Sequence, residues 1–289
     1  MTAFSQLFNK TRWSLVALTA ALTVAAFGQA KAQTTLEKIQ EQGYIRIGFA
    51  NEAPYAYATS SGQLTGESPT VFKHVMSQLG VDEVDGVLTE WGALIPGLKA
   101  GRFDAIVASM YVTPARCKQI VFANPTYGIG EAFVVKTGNP DSINNYEDAV
   151  KNDLTIAFVA GTAEIEHAEL AGLERQQRLI VPDFASAIAA VKSNRASAAA
   201  LTSLTAADLA SKDTAIERAE PFTFTHDGKG YRGEGAFGFR LEDTALRDAV
   251  NEQLDAFIGT PAHLEMVAPF GFDESNLPEK TAQQLCAGK

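Results

Sequence analysis

The sequence predicts an α/β protein of two lobes, each a mostly parallel sheet flanked by helices. Two observations predict this fold class. Short apolar stretches typical of buried strands alternate with amphipathic stretches typical of helices after residue 34. In addition, a helix end followed by a short apolar strand occurs at residues 99–106 and recurs, loosely, at 192–199. Two similar units indicate two lobes, and two chain crossings between them would form a hinge beside a ligand cleft.

The first half of the chain supplies the elements of one lobe. An amphipathic stretch at 35–42 leads into an alternating strand at 44–49. Ser68 is predicted to cap the next helix, with Pro69 at its first position, and this helix runs to residue 79. The remaining predicted elements are a helix at 92–99 ended by Gly101 and strands at 103–108 and 131–135.

The second half repeats this order. The pattern predicts a strand at 154–159, a helix that starts at Gly161-Thr162, a helix from Pro182 to residue 191 and a strand at 198–201. The closing elements are a strand at 236–240, a helix at 243–258 and a last helix that starts at Pro261. We expect the first lobe to comprise residues 33–135 and 236–289, and the second lobe residues 136–235.

The N-terminal segment has the pattern of a secretory signal peptide. Lys10 and Arg12 precede an uncharged run at 15–27, and Ala30-Lys31-Ala32 follows as a cleavage site. This run is too short to cross a bilayer of ~30 Å as a helix. We expect residues 1–32 to be removed near Ala32 and the protein to be exported, which predicts a periplasmic location; the alternative is a retained N-terminal anchor.

Charge and cysteine content narrow the class of protein. Lys and Arg total 24 and Asp and Glu total 34, giving a net charge of −10 with no long basic run. Nucleic acid is therefore excluded as a partner, because phosphate binding needs clusters of basic residues. Cys117 and Cys286 are the two cysteines, and export to an oxidising compartment favours a disulfide between them. The alternative is a pair of free, buried thiols.

Enzyme and metal motifs receive little support from the sequence. Residues 233–238 match the dinucleotide-binding pattern G-x-G-x-x-G, but the residues after it resemble the end of a strand instead of a helix. We therefore interpret the match as accidental. The four histidines, His74, His167, His226 and His263, have no metal-binding spacing. No metal site and no cofactor are predicted.

Three segments follow predicted strands directly, at the edge where open α/β sheets bind ligands. These segments are residues 49–57, 108–116 and 159–164. The first carries Glu52 and Tyr55, and the second carries an aromatic residue and a Thr-Pro-x-Arg turn that ends at Arg116. In the third, Gly161-Thr162 offers backbone N–H groups and a hydroxyl to an anion.

These segments resemble the periplasmic solute-binding proteins of the polar amino-acid ABC transporters, family 3. The resemblance runs from LEKIQEQGYIRIGFANEAPYAY through LIPGLKAGRFDAIVASMYVTPAR and FVAGTAEI to GEGAFGFR. It implies the type II periplasmic-binding-protein fold, with two lobes joined by two hinge strands. It also implies a monomeric receptor without enzyme activity, which delivers its solute to permease subunits in the inner membrane.

The resemblance also implies roles for individual residues. In relatives that bind α-amino acids, the arginine of Thr-Pro-x-Arg holds the ligand carboxylate, and this position is Arg116. Gly161 and Thr162 would complete the carboxylate site. Those relatives hold the ligand ammonium with an aspartate where this sequence has Thr202. The departure indicates a ligand without a primary ammonium group.

Aromatic residues at cleft positions point to a different cation. Tyr55, Trp91 and Tyr111 would surround a delocalised or alkylated cation, and Glu52 would balance its charge. This set resembles the ectoine- and hydroxyectoine-binding proteins of the family. Ectoine is a cyclic amidinium carboxylate, so the resemblance implies a zwitterionic compatible solute.

Two other readings stay open at this point. The protein could instead be a receptor for polar amino acids, opines or betaines, which differs from the first reading in the ligand alone. A few relatives on this scaffold are exported dehydratases of cyclohexadienyl acids. In that case Glu52 or Glu164 would serve as the general acid.

Overall fold

The computed structural model describes residues 33–226 and 229–288, so the predicted signal peptide at 1–32 lies outside the described residues. Within these two stretches, no helix has the length and apolar character needed to cross a membrane.

The strands of the described chain fall into two main sheets and two short hairpins. In chain order the strands are β1 (Tyr44–Phe49), β2 (Tyr57–Ala58), β3 (Leu64–Thr65), β4 (Glu83–Leu88), β5 (Ala105–Tyr111), β6 (Val121–Phe122), β7 (Tyr127–Ile129), β8 (Glu131–Lys136), β9 (Ile156–Val159), β10 (Arg178–Val181), β11 (Ala198–Thr202), β12 (Ile216–Arg218), β13 (Thr225–His226), β14 (Lys229–Gly230) and β15 (Gly233–Phe239).

The helices lie between the strands of these sheets. They are α1 (Thr35–Gln42), α2 (Glu67–Gln78), α3 (Leu94–Lys99), α4 (Pro114–Cys117), α5 (Tyr146–Lys151), α6 (Glu164–Leu170), α7 (Phe184–Lys192), α8 (Ser203–Lys212), α9 (Thr244–Phe257), α10 (Pro261–Val267) and α11 (Ala282–Cys286). Short 3-10 turns occur at Trp91–Ala93, Arg175–Gln177, Ala268–Phe270 and Glu274–Asn276.

The first sheet has the strand order β4-β1-β5-β15-β6, with β7 also paired to β15. Strands β1, β4 and β5 are parallel, and β15 runs antiparallel to β5. One face packs against α2 and α9 through buried residues such as Ile45, Phe72 and Leu246. Each such side chain, fully buried, contributes about 1.5–3 kcal/mol.

The second sheet has the order β10-β9-β11-β8-β12. Strands β9, β10 and β11 are parallel, whereas β8 runs antiparallel to β11. Helix α7 covers one face through Ala187 and Val191, and α5 covers the other through Tyr146. The predicted two-lobed α/β fold is thus confirmed, because each lobe contains its own sheet between helices.

The chain passes between the sheets at two points. Strand β7 pairs in the first sheet and β8, which follows one residue later, pairs in the second. On the return, β15 already pairs in the first sheet at Gly233. We therefore propose that the crossings lie near Gly130 and near residues 231–232, instead of at residues 135 and 236 as expected from the sequence.

Several predicted element boundaries differ in the structure, and three of them bear on the cleft between the lobes. Helix α2 begins one residue before Ser68 with Gly66 as its N-cap, and the buried Ser68 hydroxyl instead accepts a hydrogen bond from the Ser109 N–H. Strand β5 extends to Tyr111 because its last residues pair with β15. Helix α6 begins at Glu164, after a turn in which the Thr162 hydroxyl donates to the Val159 carbonyl.

A disulfide joins Cys117 in α4 to Cys286 in α11, across a sequence separation of 169 residues. It attaches the C-terminal helix to the short helix that follows β5. Cys117 directly follows Arg116, so the same crosslink anchors the turn that presents this arginine.

Replacing both Cys117 and Cys286 by Ser is expected to lower the free energy of unfolding by about 2–4 kcal/mol, because the crosslink restricts a long loop in the unfolded chain. Urea denaturation under non-reducing conditions measures the loss. A reducing agent should destabilise the wild type and leave the double variant unchanged. A double variant as stable as the wild type would contradict the expectation.

Candidate ligand-binding site

A cavity lies between the two lobes and is lined by residues of both. Most of the residues predicted from the sequence line the cavity together: Glu52, Tyr55, Trp91, Tyr111, Arg116, Thr162 and Thr202.

Gly161 joins the two lobes through its carbonyl oxygen. This oxygen accepts hydrogen bonds from Trp91 Nε1 at 3.2 Å and Arg116 Nη2 at 2.9 Å. These contacts do not involve the Gly161 N–H, so its expected role toward a ligand carboxylate stays a prediction.

The two lobes also face each other at a pair of glycines. A Cβ atom added to Gly92 would lie 3.2 Å from the Ala160 carbonyl oxygen, and one added to Gly161 would lie 3.2 Å from the Gly92 Cα. Gly161 also has a φ of +81°, which favours glycine. At this contact, here called the glycine contact, a side chain would force the facing backbone to move by a few tenths of an ångström.

Arg116 is presented by the Thr-Pro-x-Arg turn. The Thr113 hydroxyl caps α4 by accepting a hydrogen bond from the Arg116 N–H, with Pro114 at the first helical position. The guanidinium donates to the backbone carbonyls of Tyr111 and Gly161 and lies 5.9 Å from the Trp91 ring centre. It is 8% exposed, and burial lowers the pKa of Arg116.

No carboxylate in residues 33–226 or 229–288 forms an ion pair with Arg116. A buried cation that binds only neutral carbonyl oxygens is incompletely compensated. The planar guanidinium retains donors for a bidentate carboxylate. The arrangement therefore suits an anionic group of a ligand.

The aromatic walls depend on glycines in β15. A Cβ atom on Gly233 would lie 2.3 Å from the Tyr111 ring, and one on Gly235 would lie 2.1 Å from the Tyr127 ring. The G-x-G-x-x-G segment therefore lies inside a strand, and its first two glycines make room for tyrosines that line the cavity.

Further aromatic contacts come from both lobes. Tyr55 packs against Tyr127 with ring centres 5.1 Å apart, within the first lobe. Trp91 meets Phe184 of the second lobe edge-on, with ring centres 6.3 Å apart. The cavity consequently has aromatic surfaces on both sides, which suits a flat or cationic ligand.

Two buried carboxyl groups face the same cavity. Glu52, in the first lobe, accepts a hydrogen bond of 2.8 Å from the Thr205 hydroxyl of the second lobe. Burial, opposed by this hydrogen bond and supported by the charge of Glu164, raises the pKa of Glu52 to about 8. Burial and the charge of Glu131 raise the pKa of Glu164 to about 7. Both groups would be stabilised in their ionised form by a positively charged ligand.

A third carboxyl group lies beneath the site. Glu67 accepts hydrogen bonds from the hydroxyls of Ser109 at 2.9 Å and Thr126 at 2.8 Å. Ser109 has a left-handed φ of +53°, and its carbonyl accepts a hydrogen bond from the Tyr127 hydroxyl. This network holds the backbone of β5 behind the cavity. Burial raises the pKa of Glu67 to about 7.

The histidines with described side chains have packing partners. His167 contacts the buried Glu131, which also accepts a hydrogen bond from Tyr146. His74 stacks on Phe257, and the backbone N–H of Gly259 donates to His263 Nδ1. Across the described part of the chain, no group of three or more His, Cys, Asp and Glu residues is arranged to hold a metal ion.

Sequence reasoning missed several lining residues: Ser109, Tyr127, Phe184, Ala200 and Leu201. Phe184 follows the end of the parallel strand β10, so the rule that found the other segments also applies to it. Tyr127 lies on a strand antiparallel to β15 and gives no such signal. Glu164, considered above as a general acid alone, lines the cavity as well.

Comparison with known proteins identifies the family. Residues 45–266 match the bacterial extracellular solute-binding proteins, family 3. A probable amino-acid ABC transporter periplasmic-binding protein, y4tE of Sinorhizobium fredii, is 35% identical over 279 residues, which cover 94% of this chain and 93% of that protein.

Two solved structures have the same fold. EhuB in complex with hydroxyectoine is 34% identical with a TM-score of 0.79, covering 88% of this chain and 98% of that one. The ancestral amino-acid-binding protein AncCDT-1, a precursor of cyclohexadienyl dehydratase, is 28% identical with a TM-score of 0.70, covering 82% and 99%. The chain therefore belongs to the family 3 extracellular solute-binding proteins, as the sequence predicts.

Replacing Glu67 by Gln is expected to stabilise the protein increasingly as the pH rises from 5 to 8. The pKa of Glu67 is raised by burial from 4.5 to about 7. The contribution of the neutral Glu67 carboxyl group to stability is therefore complete below pH 4.5 and is lost as the pH rises through 7. The change in the free energy of unfolding over this range is at most about 3 kcal/mol.

Urea denaturation at pH 5, 6, 7 and 8 measures the gap between variant and wild type. Glu83→Gln, at an exposed glutamate of β4, serves as the control and should keep the pH dependence of the wild type. A gap for Glu67→Gln that does not change with pH would contradict the expectation.

Proposed function

We propose that this family 3 protein is the periplasmic receptor of an ABC importer and binds a zwitterionic compatible solute, ectoine or hydroxyectoine. The observation that carries the proposal is the buried Arg116 guanidinium, which shares one cavity with aromatic rings and two carboxyl groups. A ligand with a carboxylate at one end and a delocalised cation at the other matches this arrangement.

The carboxylate of the solute would bind Arg116, with Thr162 beside it. Tyr55, Trp91 and Tyr111 would enclose the ring of the solute. Cation–π contacts away from water are worth about 2 kcal/mol. Glu52 would accept hydrogen bonds from the ring N–H groups. The hydroxyectoine complex of EhuB, at 34% identity over most of both chains, supports this choice of ligand.

Closure of the lobes would be the functional event. Hydrogen bonds already join the lobes from Trp91 and Arg116 to Gly161 and from Thr205 to Glu52. A solute that contacts both lobes stabilises the closed state more than the open one. The permease subunits in the inner membrane would recognise the closed receptor.

We further propose that the exported protein begins after Ala32 and acts as a monomer without a cofactor.

Polar amino acids, opines or betaines are alternative ligands. The relative y4tE supports amino acids by its name. Against a primary ammonium, the position of the usual aspartate is Thr202, whose hydroxyl donates to Thr205. Thr202 therefore contributes a neutral group to the cavity.

A second candidate is an exported dehydratase of cyclohexadienyl acids. Glu164 shares the cavity with Arg116 and has a pKa raised by burial to about 7, which suits a general acid. AncCDT-1 supports the idea by its relation to such an enzyme. Incubation with prephenate or arogenate and detection of released CO2 would decide between receptor and enzyme.

The binding proposal predicts that the protein without residues 1–32 binds ectoine or hydroxyectoine with a Kd near micromolar. Arg116→Ala should weaken binding by at least a hundredfold, because a hydrogen-bonded ion pair away from water is lost. Isothermal titration calorimetry measures both values. Arg102→Ala, at an exposed arginine of the same lobe, should bind as the wild type does. Tight binding of a free amino acid, without heat from either ectoine, would overturn the ligand assignment.

Affinity is also expected to rise with pH between 6 and 8. Burial raises the pKa of Glu52 to about 8, with Thr205, Glu164 and Tyr55 as its polar neighbours. A ligand cation lowers this pKa, so binding releases a proton from the neutral carboxyl group. Affinity then increases up to about tenfold per pH unit and levels off above pH 8.

Titrations at pH 6, 7 and 8, each in two buffers of different ionisation enthalpy, would measure both the affinity and the released proton. Glu52→Gln should bind more weakly and release fewer protons, with the pH dependence between 7 and 8 reduced most, because Glu164 has its pKa at about 7. An affinity that is constant over this range would show that Glu52 is already ionised before the ligand binds.

A further inference from the structure

Three tyrosines line the cavity, and their hydroxyl groups differ in one respect. The Tyr111 hydroxyl donates to the Ile129 carbonyl at 3.2 Å, and the Tyr127 hydroxyl donates to the Ser109 carbonyl at 2.9 Å. The Tyr55 hydroxyl is buried, and no atom of the described residues forms a hydrogen bond with it. Tyr55 is therefore the tyrosine of this set with a donor still available.

The position of the Tyr55 ring is fixed by its surroundings. The residue is 1% exposed and packs against Tyr127 and Phe272, with ring centres 5.1 and 5.5 Å away. Its backbone N–H donates to the Glu52 carbonyl, which holds the loop in place. The hydroxyl therefore cannot turn to solvent. A buried hydroxyl without a partner is unfavourable, and a ligand group that pairs with it gains that interaction.

The side chain of Thr202 supplies the complementary group. Its hydroxyl donates to Thr205, whose hydroxyl donates in turn to Glu52. The proton of Thr202 is used in this series of hydrogen bonds. Its oxygen accepts one hydrogen bond, from the Thr205 N–H, and retains a second lone pair. Tyr55 and Thr202 line the same cavity, so the cavity offers a ligand both a donor and an acceptor.

We propose that the Tyr55 hydroxyl, together with Thr202, is a specificity-determining group that recognises a hydroxyl substituent on the ring of the bound solute. A ligand hydroxyl both donates and accepts, so it matches the Tyr55 donor and the Thr202 acceptor at once. The inference rests on the proposed function and deepens it, since hydroxyectoine carries such a substituent and ectoine does not. The site would favour hydroxyectoine, because ectoine leaves the buried tyrosine hydroxyl unpaired.

The experiment compares ectoine and hydroxyectoine by isothermal titration calorimetry on the wild type, Tyr55→Phe and Tyr111→Phe. The wild type should bind hydroxyectoine about tenfold more tightly than ectoine. In Tyr55→Phe the ratio of the two Kd values should fall to about one, mainly through weaker binding of hydroxyectoine. Tyr111→Phe removes a hydroxyl that pairs with the backbone, so it should change both Kd values by the same factor and keep the ratio.

Each other result contradicts the inference in a recognisable way. Equal affinities in the wild type would overturn it and leave the proposed function standing, as would a tenfold preference that survives in Tyr55→Phe. A preference lost equally in Tyr111→Phe would show that the aromatic wall as a whole, and not the Tyr55 hydroxyl, sets the ratio. If neither compound binds to the folded wild type, the proposed function and the inference fail together.

Discussion

The carbonyl oxygen of Gly161 accepts hydrogen bonds from two side chains of the opposite lobe, the indole of Trp91 and the guanidinium of Arg116. This interaction keeps a cation buried between two protein surfaces. Removing a charge from water costs several kcal/mol, and carbonyl dipoles offset only part of that cost. Because the charge of Arg116 is only partly compensated, an anionic group of a ligand would be stabilised beside it. The aromatic rings and the carboxyl groups line the same cavity.

Two carboxyl groups of the same cavity have a related property. Burial raises the pKa of Glu52 to about 8 and that of Glu164 to about 7, because the ionised forms lose their hydration. The charge of Glu164 raises the pKa of Glu52 further, and the charge of Glu131 does the same for Glu164. A cationic group in the cavity would lower both pKa values.

The sequence predicted the fold and the residues that follow parallel strands. Glu52 after β1, Trp91 after β4 and Arg116 after β5 could be found because parallel strands end at one edge of a sheet. Residues supplied by other geometry could not be found in this way. Tyr127 comes from an antiparallel strand, and Thr205 meets Glu52 through a contact that spans 153 residues.

Two glycine segments have tertiary roles that the sequence did not indicate. The turn before α6 directs the Gly161 carbonyl to the other lobe, while the role of its N–H toward a ligand stays a prediction. The G-x-G-x-x-G match lies within a strand, as the sequence predicted, and the space that Gly233 and Gly235 leave belongs to Tyr111 and Tyr127. Both roles depend on tertiary neighbours that a linear pattern does not specify.

The glycine contact between Gly92 and Gly161 has a mechanical consequence. Backbone faces backbone there, so a side chain at either position would have to push the two main chains apart. The lobes would then stand farther apart, and a bound solute would be enclosed less completely. Dissociation of such a solute would be faster, so the absence of two side chains would lengthen the time that a solute stays bound.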